Sequence, residues 1–403
     1  MKRSLTVTFP PWLVWIAAGA LSPGEAHSSG EKHSSGETLS SDPSRGRPPT
    51  SRSESQPVRE LPGQWTYLGL GSREVRRLRV HGELLYACTD SGLFHKELGS
   101  ADTLWAPLGL AGRRVHALWA ASPESILAAV RVASGDSVSL YRSTDMGASW
   151  QSYQNGFGNG WNVEARDLQG FPLGRDLIGV AATIEKSEDG GVSWRQVVQG
   201  CVFNFVRANP IAPGHVWAGG ETCIFAPVIF RSRDAGDTWR EMHLEAGGDN
   251  ACDAVAYHPT DPDVVYVGME GRVMRTLDGG DKWDEVTAPN PGLYLTGMAI
   301  RGRLPLRVYA AGNNTPADPR GVVLYASDDG GGSWTAVAQP APLRRGVLDL
   351  LYVGRVDEDW LLLATDRGVY RYVDAPTAVA PRSWASVKEL FRPRRREPVA
   401  RAP

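Results

Sequence analysis

Apolar residues in this chain fall in short runs rather than at helical spacing. Val255-Ala256-Tyr257 is followed by the turn-forming stretch His258-Pro259-Thr260-Asp261-Pro262-Asp263. Further runs then come at residues 264–268, 272–276 and 283–286, with Gly, Asp and Lys between them. Brief apolar or alternating segments separated by Gly, Pro, Asn and Asp predict β-strands joined by tight turns, here four to a unit. Helical spacing is confined to residues 384–391, a short segment closed off by Pro393.

The unit repeats. Trp105, Trp150, Trp194, Trp239, Trp283, Trp334 and Trp384 follow one another at intervals of 45, 44, 45, 44, 51 and 50 residues. A period of this size predicts a repeat architecture. Four strands per period, seven times over, predict an all-β chain: a single seven-bladed β-propeller of four-stranded antiparallel blades. The hairpins at residues 87–94 and 363–370 place blades at both ends of the series. Ring closure has two candidates: the strand around Trp65, which precedes the first unit, and residues 383–387. The Trp65 strand is favoured, because a Pro-interrupted stretch separates Trp384 from its blade.

Five of the tryptophans end a recurring octet, with the sequence SEDGGVSW at residues 187–194. The Asp can accept backbone N–H groups across a tight turn. The Gly two residues later supplies a positive φ, and the Trp offers a large apolar face. The octets carry Asp145, Gly147 and Trp150; Asp189, Gly191 and Trp194; Asp234, Gly236 and Trp239; Asp278, Gly280 and Trp283; and Asp329, Gly331 and Trp334. They resemble the Asp-box (BNR) repeat of sialidase-like and sortilin-like propellers, where such boxes lie at the blade periphery, away from the ligand. The resemblance therefore assigns these residues to structure, not chemistry.

Within that superfamily, the Arg-Ile-Pro motif of sialidases is missing from the chain. Its length accommodates one propeller, not the two of xyloglucanase-like glycosidases or the ten blades of sortilin-type receptors. What remains is similar to the photosystem II stability and assembly factor group, single propellers without catalytic activity that bind protein partners. The resemblance implies a non-catalytic protein- or glycan-binding scaffold, with a glycan-active hydrolase as the alternative.

The flanks change the picture more than the bulk composition does. Residues 1–20 begin Met-Lys-Arg, continue into an apolar stretch and end Ala18-Gly19-Ala20, the layout of a cleavable signal peptide. Residues 21–61 are rich in Ser, Gly and Pro and are expected to form a disordered linker. The propeller is expected over residues 62–387 and a basic flexible tail over 388–403. The apolar stretch is too short for a confident membrane span. The expected protein is an exported, periplasmic or secreted monomer without a stable membrane span.

Net charge is −2, which gives no bulk electrostatic case for nucleic acid. No cofactor or metal motif is present: the octet turns lack the alternating oxygen ligands and terminal Glu of a calcium loop, and no Cys-x-x-Cys pair occurs. Of the four cysteines, Cys201, Cys223 and Cys252 are expected on one face, open to a Cys201–Cys223 or Cys223–Cys252 disulfide or to independent buried thiols. The segments leading into each innermost strand hold Glu74, Arg76, Arg114, His116, Asn162, Glu164, Asn204, Asp253 and Asp349. Among these, Arg114, His116, Asn162, Glu164, Asn204 and Asp253 are the candidate ligand-binding residues on the channel face. A plain polar lining of a wet channel accounts for the same residues, and no catalytic residue is assigned.

Overall fold

Each blade begins at the axis and ends at the rim, as the blade built on residues 252–286 shows. In the computed structural model its innermost strand is Cys252–Tyr257, followed outward by Val265–Met269, Arg272–Thr276 and Asp284–Val286. All five residues of Val265–Met269 are buried. A strand covered on both faces must be apolar throughout, which is why the middle strands read as unbroken hydrophobic runs. The outermost strands are only two to seven residues long and largely polar, as short edges that resist further pairing should be.

The structure describes residues 61–374 except 62, 133–138, 154–156, 159–163, 172–173, 201, 223, 225, 243, 245–250, 291, 303–305, 315–322, 339–345 and 356–357. Among these residues there are seven four-stranded antiparallel sheets. The innermost strands of blades 1 to 7 are Val75–His81, Val115–Ala120, Asp167–Gly170, Val202–Asn209, Cys252–Tyr257, Leu293–Ile300 and Val347–Gly354. In blade 7 the outermost strand is Gly63–Gly69, paired antiparallel with Gly368–Asp374. The strand around Trp65 thus closes the ring; the competing residues 383–387 lie outside the described residues, as do the leader, most of the linker and the tail.

There is no single central core. Seven apolar clusters sit between neighbouring blades, each built from both: Leu118 and Ile126 of blade 2 pack with Tyr86 and Leu93 of blade 1, and so on round to Leu362 of blade 7 with Leu78 of blade 1. The ring is closed by packing at every interface, including the seam.

The octets explain the period. In each, the opening Ser or Thr hydroxyl donates to the Asp carboxylate and accepts the N–H of the Gly, as in Ser187 Oγ to Asp189 Oδ1 at 2.8 Å and Gly191 N to Ser187 Oγ at 2.8 Å. Asp189 also accepts the Ser193 N–H at 2.9 Å and the Ser193 hydroxyl at 2.6 Å. Gly191 has φ +88°, a conformation that side chains resist. Trp194 packs edge-on against Phe157 and is 7% exposed.

Several tryptophans also cross to the preceding blade. Trp150 Nε1 donates to Leu108 O at 2.9 Å, Trp334 Nε1 to Thr287 O at 2.6 Å, and Trp105 Nε1 to Leu68 O at 2.7 Å. Spacing in sequence is therefore spacing around the ring.

Cys252 is a free, buried thiol packed among Phe205, Val267 and Met269, as the independent-thiol alternative has it. Its side chain points into the interblade core rather than across the face. Cys201 and Cys223 lie outside the described residues.

Candidate functional site

The octet turns join third to fourth strands, so antiparallel order puts them on the face opposite the start of each innermost strand. That leaves the other face for the side chains near the beginnings of the innermost strands. In six blades the pairing of that strand with the next shifts register at one residue: Arg76, His116, Asn204, Asp253, Thr296 and Leu348. In blade 3 the corresponding residue is Arg166, just ahead of Asp167–Gly170. A bulge leaves its extra residue unpaired and re-aims the side chain. Here these six residues and Arg166, one per blade, converge on a cup of about 320 Å3 that also touches Arg77 and Glu164.

Neighbouring blades are tied together around this ring. His116 Nε2 lies 2.9 Å from Glu164 Oε1. Arg166 Nη1 donates to Asn204 Oδ1 at 3.1 Å, and Asn204 Nδ2 donates to Asp253 Oδ1 at 2.8 Å. Thr296 Oγ1 donates to Val347 O at 2.6 Å. A second lobe of about 290 Å3, lined by Arg114 and Arg131, shares His116, Glu164 and Arg166 with the cup.

The floor is ionic. Asp167, fully buried, accepts Arg79 Nη2 at 2.8 Å from across the channel and is also paired with Arg207. It takes the Val206 N–H at 3.1 Å as well. Asp349 lies 3.5 Å from Arg77 Nη1 and accepts the Leu78 N–H at 2.9 Å. Three arginines and two aspartates from blades 1, 3, 4 and 7 thus meet where the channel would run, which gives the cup a charged base.

Protonation follows from this layout. Burial raises the Asp167 carboxyl, but Arg207, Arg77 and Arg79 outweigh it and hold it at about 2. Burial lowers His116, and the Glu164 carboxylate only partly restores it. Burial likewise works to raise Glu164, yet the hydrogen bond and charge of His116, with Arg166, keep it below the usual range. Asp253 goes the other way: burial, with the charge of Glu221 adding, pushes it up to about 6 against the Asn204 hydrogen bond.

Of the six candidate binding residues, the structure brings His116, Glu164, Asn204 and Asp253 into the cup and places Arg114 in the adjoining lobe. Asn162 lies outside the described residues. Arg76 lines the cup and pairs with Glu74, whereas Asp349 belongs to the floor. Sequence reasoning missed Arg77, Arg131, Arg166, Thr296 and Leu348, together with Arg79, Asp167 and Arg207 of the floor. The signal was there for the ring: each member stands two residues before a hydrophobic residue (Leu78, Leu118, Leu168, Val206, Val255, Met298 or Leu350) in its innermost strand.

No protein-family model matches the chain. In an alignment of 184 positions that covers 37% of this chain, it is 29% identical to xyloglucanase Xgh74A of Acetivibrio thermocellus, and that match spans only 22% of the enzyme. Among solved structures, YCF48 bound to a D1 peptide superimposes with a TM-score of 0.58 at 15% identity, covering 80% of this chain and all of that one. An ancestral GH74 enzyme gives 0.55 at 19% identity over 69% of this chain and 39% of its own. At these identities the likeness is one of architecture, and this chain is a seven-bladed β-propeller of the fold found in YCF48 and in GH74 propellers.

Proposed function

We propose that the chain is an exported, non-catalytic β-propeller that binds a protein or glycan partner through the cup at the beginnings of its innermost strands. One observation carries this reading: every blade contributes a side chain to the same cup, in six of them from a bulge in the innermost strand. A concave site with a few convergent polar groups and perturbed carboxyls is where ligand binding is expected in a fold of this kind. The excess of arginine favours an anionic group on the partner. YCF48, whose structure holds a peptide, lends support to a partner-binding role at the level of fold.

A second reading, a glycan-active hydrolase, has one observation in its favour. Glu164 and Asp253 share the cup with carboxyls pushed in opposite directions, the pattern of an acid and base pair. The partial similarity to a xyloglucanase points the same way.

Affinity capture from the native envelope fraction tests the first reading. Wild type should retain partners that Arg114→Gln and Asn204→Ala lose while both variants melt normally. Unchanged capture by both would refute the cup as the binding site. Turnover in a polysaccharide screen, abolished by Asp253→Asn, would replace the first reading with the second.

A further inference from the structure

Resting on the cup as the binding site, we propose that its ligand is an anionic carbohydrate, with a uronate-type carboxylate held by the arginine lobe. Five arginines (Arg76, Arg77, Arg114, Arg131 and Arg166) face the two lobes against two carboxylates, Glu164 and Asp253. Glu164 is already engaged by His116 and by the backbone N–H of Val132. It is also the only acidic side chain lining the second lobe among the described residues. Arg77 is committed to Asp349 and Arg76 to Glu74. Among the described residues, Arg114, Arg131 and Arg166 then face Glu164 and Asp253 and leave an excess of positive charge on the blade 2–3 side, where planar guanidinium groups suit a carboxylate bidentately.

The rest of the cup is built for hydroxyl groups. Asn204, His116, Asp253 and Thr296 offer donors and acceptors, and Leu348 is the sole purely apolar side chain lining it among the described residues. A polypeptide hot spot usually needs a desolvated aromatic or aliphatic anchor, and the described residues of the cup provide none. Tyr294 lies two residues before Thr296 in the same innermost strand. It is 42% exposed, is hydrogen-bonded to Glu270 and lies within electrostatic reach of Asp253. An exposed ring beside hydroxyl-binding groups is suited to stack on the apolar face of a sugar. The two lobes, about 320 and 290 Å3, each fall near the lower end of the usual small-ligand range of about 300–1,000 Å3. They adjoin, which fits one or two rings of an oligosaccharide whose remainder leaves through the open mouth.

The test is calorimetric titration of the full chain at low salt with trigalacturonate, its methyl ester, neutral galactotriose and a glutamate-rich decapeptide. The uronide should bind. Esterification, or Arg114→Gln or Arg166→Gln, should each weaken it by about tenfold or more, as loss of a charge-assisted pair implies. Tyr294→Ala should weaken the uronide and leave the decapeptide unaffected, and Arg240→Gln, on the octet side, should change nothing. No uronide binding at millimolar concentration, or equal binding of the ester, overturns the proposal. If the decapeptide binds instead with the same arginine dependence, the carbohydrate assignment falls while the cup remains the binding site. If partner capture is also indifferent to the arginines, both fall.

Discussion

Asp167 in blade 3 accepts a hydrogen bond from Arg79 of blade 1 at 2.8 Å, joining two blades that are not neighbours in the ring. The same carboxylate is paired with Arg207 and takes the Val206 N–H, so one buried anion serves three blades. Removing one partner from such a cluster strands charge in a site that water cannot repair. Asp167→Ala should therefore cost about 3–5 kcal/mol in urea unfolding at neutral pH. The pH sign is fixed by direction: a carboxyl held at about 2 when folded contributes stability above its unfolded value and loses it as pH falls toward 2. Wild type and Asp167→Asn should thus converge in melting temperature between about pH 4 and pH 2. A constant gap over that range would contradict the ion-pair role.

The octet side chains divide into packing and turn parts, and the two should differ in cost. Trp194 is buried against Phe157, so Trp194→Ala should lose about 3–5 kcal/mol. Asp189 sits on a mostly exposed turn and makes hydrogen bonds that water can partly replace. Asp189→Ala should lose only about 1–2 kcal/mol. Chemical denaturation of both variants checks the order, and the reverse ranking would make the octet an ionic staple instead of a packing wedge.

Asp253 carries a pH dependence of the opposite sign to Asp167. Its folded value is raised to about 6, so the stability tied to its neutral form is complete below the ordinary carboxylate range and is lost as pH rises through 6. Asp253→Asn, which keeps the acceptor for Asn204, should match wild type near pH 4. At pH 8 it should be more stable by about 1–2 kcal/mol, a figure discounted for the partial exposure of the residue. Thermal melts across that range decide it; a variant that gained nothing at pH 8 would mean the carboxyl is solvated.

The repeat made the fold legible. Strand-forming runs, octets and tryptophan spacing all report on local turns and on the contact with the preceding blade, and both recur at a fixed interval. The cup was only half legible, because its members are marked in the sequence only by a hydrophobic residue two positions later, a pattern that other strand positions share. Arg166 and Glu164 stand two positions apart, and only the register of the next strand distinguishes the ring member from its neighbour. Leu348 was invisible for a simpler reason: a search for polar side chains passes over the one apolar place in the ring. The ionic floor was not legible at all. Arg79, Asp167 and Arg207 are far apart in sequence and meet only because a closed ring brings opposite blades to one axis. The status of Cys252 depended on a side-chain direction that strand alternation across a bulge does not reveal.

The seam offers the sharpest test of how the ring holds together. Blade 7 is the one blade assembled from two distant parts of the chain, and Trp65 is central to its closing strand. Its ring packs 5.0 Å from that of Tyr372 and 6.4 Å from that of Tyr370, and its indole N–H donates to Ala338 O of the preceding blade. Trp150 occupies the like position in blade 2, where the outer strand follows directly from its own blade. Truncation at either site should cost about 3–5 kcal/mol, since each removes a comparable aromatic contact. The kinetics should differ. Opening the seam requires no strand to be pulled from within a continuous hairpin, and it exposes the interblade clusters on both sides of blade 7. Contacts that break early in unfolding are already lost in the transition state, so removing them destabilises the native state alone and shows mainly as faster unfolding. Trp65→Ala should therefore mainly accelerate unfolding, and Trp150→Ala should show a larger share of its effect as slower refolding. Stopped-flow measurements on the two variants would show this split; identical partition between the two limbs would mean that the ring does not open first at its seam.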